Sequence, residues 1–222
     1  MRRGILWDLD GTLLDSLGDL HAATNYALGV FGCPPRTLEQ VRRFVGNGAG
    51  LLIQRALPGL PGDPPAEQVL EAFRQYYTVH CGDHTRPYAG IPEAMERLKA
   101  QGFSMAVVSN KPDSAVKPLC RGYFGALKAF GETEGCPRKP APDMTLRAAG
   151  ELGIAPERCV YVGDSEVDVA TARNAGMVCL SVLWGFRDRR ELEQAGAVHF
   201  CRTPEELPRC IAQLTGEEVH GQ

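Results

Sequence analysis

Short runs of β-branched and aliphatic residues alternate along the chain with segments whose apolar positions recur every three or four residues. That is the pattern of parallel strands joined by crossover helices. Strands are predicted at Gly4 to Trp7, Phe103 to Val108, Leu127 to Phe130, Cys159 to Val162 and Val178 to Val182. Helices are predicted at Pro92 to Gln101, Pro112 to Leu119, Asp143 to Leu152, Val167 to Ala175 and Arg189 to Ala195, with Pro204 to Leu214 closing the chain. The rhythm breaks between Ser16 and about Tyr88, where no strand-like run occurs and four helical stretches are divided by Pro34-Pro35, "VGNGAG" and "PGLPGDPP". The expected fold is α/β, a Rossmann-like parallel sheet with a small helical insert after the first strand. Residues 1–15 and 86–222 then form the core domain, and 16–85 the insert.

Composition narrows the ligand. The 222 residues carry a formal net charge of -3 with Lys and Arg scattered, so there is no footprint for a nucleic-acid backbone or an anionic membrane. The expected partner is a small molecule, with the protein a monomer or a small homo-oligomer. Met1-Arg2-Arg3 resembles the start of a signal peptide, but the apolar run that follows stops at Asp8, and no apolar stretch is long enough to span a bilayer. A cytoplasmic chain is expected. The 8 cysteines never fall in a C-x-x-C pair, and Cys159 and Cys179 sit inside apolar runs, so they read as reduced structural thiols.

In a parallel α/β sheet, ligands bind outside the carboxyl ends of the strands, which singles out the residues just after each strand. Asp8 and Asp10 follow the first strand, Ser109, Asn110 and Lys111 the second, and Gly163, Asp164 and, a helical turn later, Asp168 the fourth. Lys139 lies in "RKPAPD", the loop that opens a helix. Carboxylates pressed together repel unless a cation sits among them, and an all-oxygen donor set suits Mg²⁺. Alternation along an extended chain puts Asp8 and Asp10 on one side, so one can attack while the other handles protons. Lys139 with Ser109 and Asn110 would neutralise and orient an anion with several oxygens, such as a transferring phosphoryl group. Gly11 lets the backbone turn sharply beside that anion.

The four segments "DLDGT", "SN", "RKPAPD" and "GDSEVD" resemble, in order, the four motifs of the haloacid dehalogenase (HAD) superfamily, and the match spans nearly the whole chain. The resemblance implies the HAD fold with a helical cap, and Asp8 as a nucleophile that forms an aspartyl-phosphate. It implies Asp10 as general acid and then base, with Ser109 and Lys139 holding the phosphoryl group. Mg²⁺ would be bound by the Asp8 carboxylate, the Asp10 backbone carbonyl and Asp164. Gly11, Thr12 and Asp168 would support the site, Asp168 by pairing with Lys139 or holding metal waters. Aspartate at position 10 points to phosphomonoester hydrolysis or phosphoryl transfer between sugar positions, because both need protonation of a poor alkoxide leaving group. "RRFVGNGAGLLIQRAL", "TNYALGVFG" and "SNKP" resemble phosphoglycolate phosphatases, which implies a Mg²⁺-dependent phosphatase acting on 2-phosphoglycolate, with Asn47 reading the substrate. A β-phosphoglucomutase-like enzyme and a catalytically silent phosphate-ester binder are the alternatives.

Other features have plainer readings. Asp15 is expected to cap a helix or serve a hinge. "GNGAG" lacks a preceding strand and the G-x-x-x-x-G-K spacing, so it reads as a glycine-rich turn near the substrate rather than a nucleotide loop. His21, His80, His84, His199 and His220 show no metal spacing. "RDRR" at 187 to 190 reads as a solvated helix start, with Arg187 placed to reach the site rim.

Overall fold

Gly4–Trp7 (β1) is buried along its whole length and hydrogen-bonds a parallel neighbour on each side, which is why its sequence is a continuous apolar run rather than an alternating one. A computed structural model describes residues 3–216. After β1 the chain passes through the two-residue strand Leu14–Asp15 (β2) into four helices, Leu17–Val30 (α1), Leu38–Phe44 (α2), Ala49–Ala56 (α3) and Ala66–His80 (α4), and leaves through Arg86–Pro87 (β3). Then follow Ile91–Ala100 (α5), Ser104–Pro112 (β4), Asp113–Phe124 (α6), Lys128–Glu132 (β5) and Asp143–Leu152 (α7). The chain ends with Cys159–Gly163 (β6), Glu166–Asn174 (α8), Val178–Val182 (β7), Arg189–Gln194 (α9), Phe200–Cys201 (β8) and Leu207–Thr215 (α10).

Two compact units result, residues 15–86 and residues 1–14 with 87–222. In the larger unit the six strands run in the order β5-β4-β1-β6-β7-β8 with every pairing parallel. The chain builds outward from β1 to β5, then returns to lay β6 on the other side of β1. The carboxyl end of β1 is therefore the point where strand order reverses, where a ligand crevice forms. One layer of core is Leu6, Ala106, Val108, Met144, Ala148, Cys159 and Tyr161.

Local sequence accounts for the helix boundaries. Gly153, at φ 68, closes α7 in the left-handed conformation that glycine adopts without strain. Asp188 and Glu191 form a reciprocal capping box at α9, and Ser165 with Asp168 does the same at α8. In the helical unit, Thr37 and Gln40 make the box for α2, while Arg36 Nε donates to Ala56 O at 2.6 Å and Asn25 closes on the Arg36 backbone. Tyr26 stacks on Tyr76 at 4.3 Å, joining α1 to α4. The buried Asp19 accepts from His84 N, Thr85 N and Thr85 Oγ1, closing the unit at its base. Asp15 accepts a long 3.4 Å bond from Leu17 N, so the start of α1 has only a weak side-chain cap.

The structure differs from the sequence expectations in its strands, including the two-residue β2 and β3 at the ends of the helical insert. The second core strand continues past Val108 to Pro112, because its pairing with β5 slips in register between those residues and resumes. β8 was not expected, since two residues are too few to show a period. No helix among the described residues is long and apolar enough to cross a membrane. The cysteines are free thiols, and burial pushes Cys120 up to about 12, Cys159 to about 11 and Cys179 to about 12, which leaves them protonated and inert.

Candidate active site

The first strand ends at Trp7, and Asp8 N still donates to Val162 O at 2.8 Å, so Asp8 leaves the sheet with its backbone fixed by β6. Its Oδ1 accepts from Lys139 Nζ at 2.6 Å. Lys139 is buried, and the same ammonium donates to Asp168 Oδ1 at 2.8 Å and to Tyr161 OH at 3.0 Å. All three donors of that ammonium thus have an oxygen partner. Asn110 fixes the Lys139 main chain: Nδ2 donates to Lys139 O at 3.0 Å, and Oδ1 accepts from Lys139 N at 2.8 Å. Sequence reasoning expected the Asn110 amide to face an anion; the structure spends it on holding the lysine loop, because a loop without sheet pairing must satisfy its polar backbone groups through side chains.

Asp168 is held from behind. Its Oδ2 accepts from Ser165 N at 3.1 Å and Ser165 Oγ at 2.6 Å, the capping bonds of α8, so Oδ1 is presented to Lys139. Asp164 accepts from Thr12 Oγ1 at 3.0 Å on Oδ1 and from Phe186 N at 2.7 Å on Oδ2. Two glycines make room for it. A Cβ at Gly11, whose φ is +88, would meet Asp164 Oδ2 at 2.4 Å, and one at Gly185 would meet Asp164 Cβ at 2.3 Å and Gly11 O at 2.4 Å. Thr12 is anchored in turn by Trp184 Nε1, which donates to Thr12 O at 2.9 Å.

Carboxylate oxygens of Asp8, Asp164 and Asp168 all lie within 4.8 Å of one another, and all three residues are buried. Burial first and the Asp168 charge second hold Asp8 well above the usual carboxylate range, against the pull of Lys139. The same two causes push Asp164 up to about 7, opposed by the Phe186 amide and the Thr12 hydroxyl. Burial works to lower the Lys139 pKa, but Asp168 and Asp8 outweigh it and hold the ammonium above its ordinary value. One ammonium does not neutralise three buried carboxylates. An all-oxygen cluster that resists ionisation for lack of positive charge has the chemistry of a divalent-cation site.

Asp10 stands apart from that cluster. Its Oδ1 accepts from Lys111 Nζ at 2.6 Å, and its side chain is more exposed than those of the clustered aspartates. Ser109 is buried, and its Oγ accepts from Lys111 N at 3.2 Å. Arg187 pairs with Glu166 at 2.8 Å. Asn47 belongs to the helical unit, where it precedes α3 and its Oδ1 accepts from Arg55 Nη2 at 2.9 Å.

The sequence model of the haloacid dehalogenase-like hydrolase family matches residues 3–176. The chain belongs to that family. It is 37% identical over 96% of its length, and over 82% of the relative, to the phosphoglycolate phosphatase of Pseudomonas putida. It is 36% identical to phosphoglycolate phosphatase 1 of Pseudomonas aeruginosa over 86% of this chain and 73% of that one. A solved structure from Lactobacillus delbrueckii subsp. bulgaricus, provisionally named a phosphoglycolate phosphatase, superimposes with a TM-score of 0.89 at 36% identity, covering 94% of this chain and 98% of that one. The haloacid dehalogenase-like membership thus joins a hydrolase sequence family to a buried aspartate-lysine cluster at the switch point of the sheet.

Sequence reasoning missed Tyr161, Lys111 as the partner of Asp10, and the loop Trp184-Gly185-Phe186. The last had a signal. It follows β7, and the rule that chemistry lies after strand ends applies to it as it does to β1 and β6.

Proposed function

We propose that this hydrolase cleaves small phosphomonoesters, 2-phosphoglycolate first among them, through an aspartyl-phosphate on Asp8 and with Mg²⁺ as cofactor. The observation that carries the reading is the Lys139 ammonium bonded at once to Asp8 and Asp168, beside Asp164, in a buried cluster of oxygens. The substrate comes from the relatives' names and from the cap resemblance.

Asp8 attacks phosphorus, and the ester P–O bond breaks as the acyl-phosphate bond forms. Asp10 gives a proton to the departing alkoxide, then takes one from the water that attacks the aspartyl-phosphate, returning Asp8 as a carboxylate and releasing phosphate. Lys139, already held on Asp8, neutralises phosphoryl oxygens as they arrive, and the Ser109 hydroxyl and the backbone around it supply further donors. Asp8, the Asp10 backbone carbonyl and Asp164 would hold Mg²⁺, with Asp168 fixing Lys139 rather than binding the ion. The bound ion would supply charge neutralisation for the phosphoryl group and favour the ionised form of Asp8 and Asp164. The phosphoenzyme is expected to be handed to water rather than to a second sugar hydroxyl.

The test is phosphate release from a panel containing 2-phosphoglycolate, β-glucose 1-phosphate, nucleoside monophosphates and pyrophosphate, with Mg²⁺. Highest kcat/KM on 2-phosphoglycolate is expected. Isomerisation of the sugar phosphate without phosphate release would overturn the reading in favour of a mutase, and no turnover of any ester would leave a binding protein.

A further inference from the structure

We infer that Lys111 selects the leaving group: its ammonium receives a carboxylate carried on the carbon next to the ester oxygen, so the site prefers phosphorylated 2-hydroxy acids to phosphate esters of uncharged alcohols. This deepens the phosphatase reading and rests on it.

Lys111 follows Ser109 and Asn110 in the stretch of β4 where the register slips, and its backbone N–H is held by Ser109 Oγ at 3.2 Å. Its side chain is only 2% exposed, while that of Asp10 beside it is 15% exposed. Burying an ammonium is expensive, and a site keeps one where a charge has work to do. The two buried lysines divide the site. Lys139 stands on the side of Asp8 and the phosphoryl group, whereas Lys111 Nζ stands 2.6 Å from the Asp10 carboxylate that must reach the ester oxygen. Arg187 is engaged with Glu166.

Distance links Lys111 to the leaving group. A proton donor works at about 3 Å from the oxygen it protonates, so an ammonium 2.6 Å from Asp10 Oδ1 lies at most about 6 Å from the ester oxygen when Oδ1 transfers the proton and at most about 8 Å when Oδ2 does, within reach of a group carried beyond that oxygen. In a phosphorylated 2-hydroxy acid, the carboxylate carbon lies two bonds beyond the ester oxygen, a span of about 2.5 Å. One lysine donor can thus stay on Asp10 while another takes a carboxylate oxygen. An alkyl group in the same place would strip water from the ammonium and return no acceptor, so the preference has an attractive and a repulsive part.

Two phosphonates isolate this contact from the chemistry of Asp10, because neither is hydrolysed. 3-Phosphonopropionate has the shape of 2-phosphoglycolate, and propylphosphonate replaces its carboxylate by a methyl group. With Mg²⁺ present, wild type should bind the first about 10–100-fold more tightly, the range of one charge-assisted hydrogen bond. Lys111→Met should shrink that ratio to about threefold or less, and Lys111→Arg should keep most of it. Lys111→Gln, which keeps a donor beside Asp10 without the charge, gives the same reading if the methionine variant does not fold. The kcat/KM ratio of 2-phosphoglycolate to ethyl phosphate should fall by a matching factor. A ratio near one in wild type, or a ratio that survives in both Lys111→Met and Lys111→Gln, overturns the role of Lys111 while phosphatase activity stands. Failure of wild type to hydrolyse either ester overturns the phosphatase reading itself.

Discussion

The Lys139 ammonium lies 2.8 Å from Asp168 Oδ1, and the other oxygen of Asp168 caps α8 through Ser165. A helix start in the scaffold is thereby wired to the lysine proposed to meet the phosphoryl group. Asp168→Ala should break both connections. Removing one partner of a buried ion pair costs about 3–5 kcal/mol, so a clear fall in melting temperature is expected. Misplacing Lys139 should also lower kcat by about 10²–10³-fold. Chemical denaturation and steady-state kinetics on the same preparation check this; unchanged stability would mean that Asp168 is not part of the buried charge network.

Asp8→Asn is nearly isosteric, so the fold should survive while turnover falls by at least about 10³-fold, since an amide is a poor nucleophile and a weaker metal ligand. Removing divalent cations with a chelator should silence the native enzyme, and Mg²⁺ should restore it. Ca²⁺ should substitute badly, because its larger and looser shell disturbs in-line geometry. Activity that survives chelation would remove the metal from the mechanism.

Much of this site is visible in the sequence because its chemistry is local to strand ends. Asp8 and Asp164 follow short continuous apolar runs, and Lys139 lies in the proline-marked loop that leads into α7. What could not be read depends on tertiary approach. Asn110 turns out to hold the Lys139 backbone across 29 residues of sequence, and Lys111 reaches Asp10 across 101. Tyr161 sits in an apolar strand, where a tyrosine reads as core, and only the fold shows its hydroxyl on Lys139. The strands of two residues were invisible because they pair for tertiary reasons and carry no period.

Metal affinity should depend on pH through the carboxylates whose pKa burial raises. Asp164 is pushed up to about 7, and Asp8 is raised by the same causes. A carboxyl whose folded pKa lies above its unfolded value of about 3.9 contributes stability that is full below that value and is lost as pH rises through the folded pKa. For Asp164 the metal-free protein should therefore lose this contribution between about pH 4 and pH 7. A divalent cation must displace the Asp164 proton below about pH 7, so its dissociation constant should rise by up to about tenfold for each pH unit below 7. Calorimetric titration with Mg²⁺ at pH 5.5, 6.5 and 7.5 checks the slope, and a pH-independent affinity would show that the cluster is already ionised.

Gly185→Ala tests the cradle around Asp164 without substituting a carboxylate. The added methyl would stand 2.3 Å from Asp164 Cβ and 2.4 Å from Gly11 O, distances that force one of them to move. Because Asp164 is fixed by the Phe186 amide next door, displacement should pass directly to its carboxylate. Mg²⁺ affinity is expected to fall by about 10–100-fold, as for other losses of support behind a metal ligand. Native-like far-ultraviolet circular dichroism should accompany it.

Asp10→Asn separates the two jobs proposed for Asp10. An aryl phosphate such as p-nitrophenyl phosphate releases its leaving group without help from a proton, whereas the water that cleaves the aspartyl-phosphate still needs a base. The first step should therefore suffer less than the second, and the phosphoenzyme should accumulate. A burst of nitrophenol approaching one equivalent per site is expected, followed by a slow steady rate, with labelled phosphate trapped as a hydroxylamine-sensitive acyl phosphate on Asp8. With 2-phosphoglycolate both steps need Asp10, so no burst should form. Lys111 Nζ, 2.6 Å from Asp10 in the native protein, should keep a bond to the amide oxygen of the variant, so the side chain stays in place and the kinetics report proton transfer rather than misplacement. Equal losses on aryl and alkyl esters with nothing trapped would assign Asp10 a purely positional role.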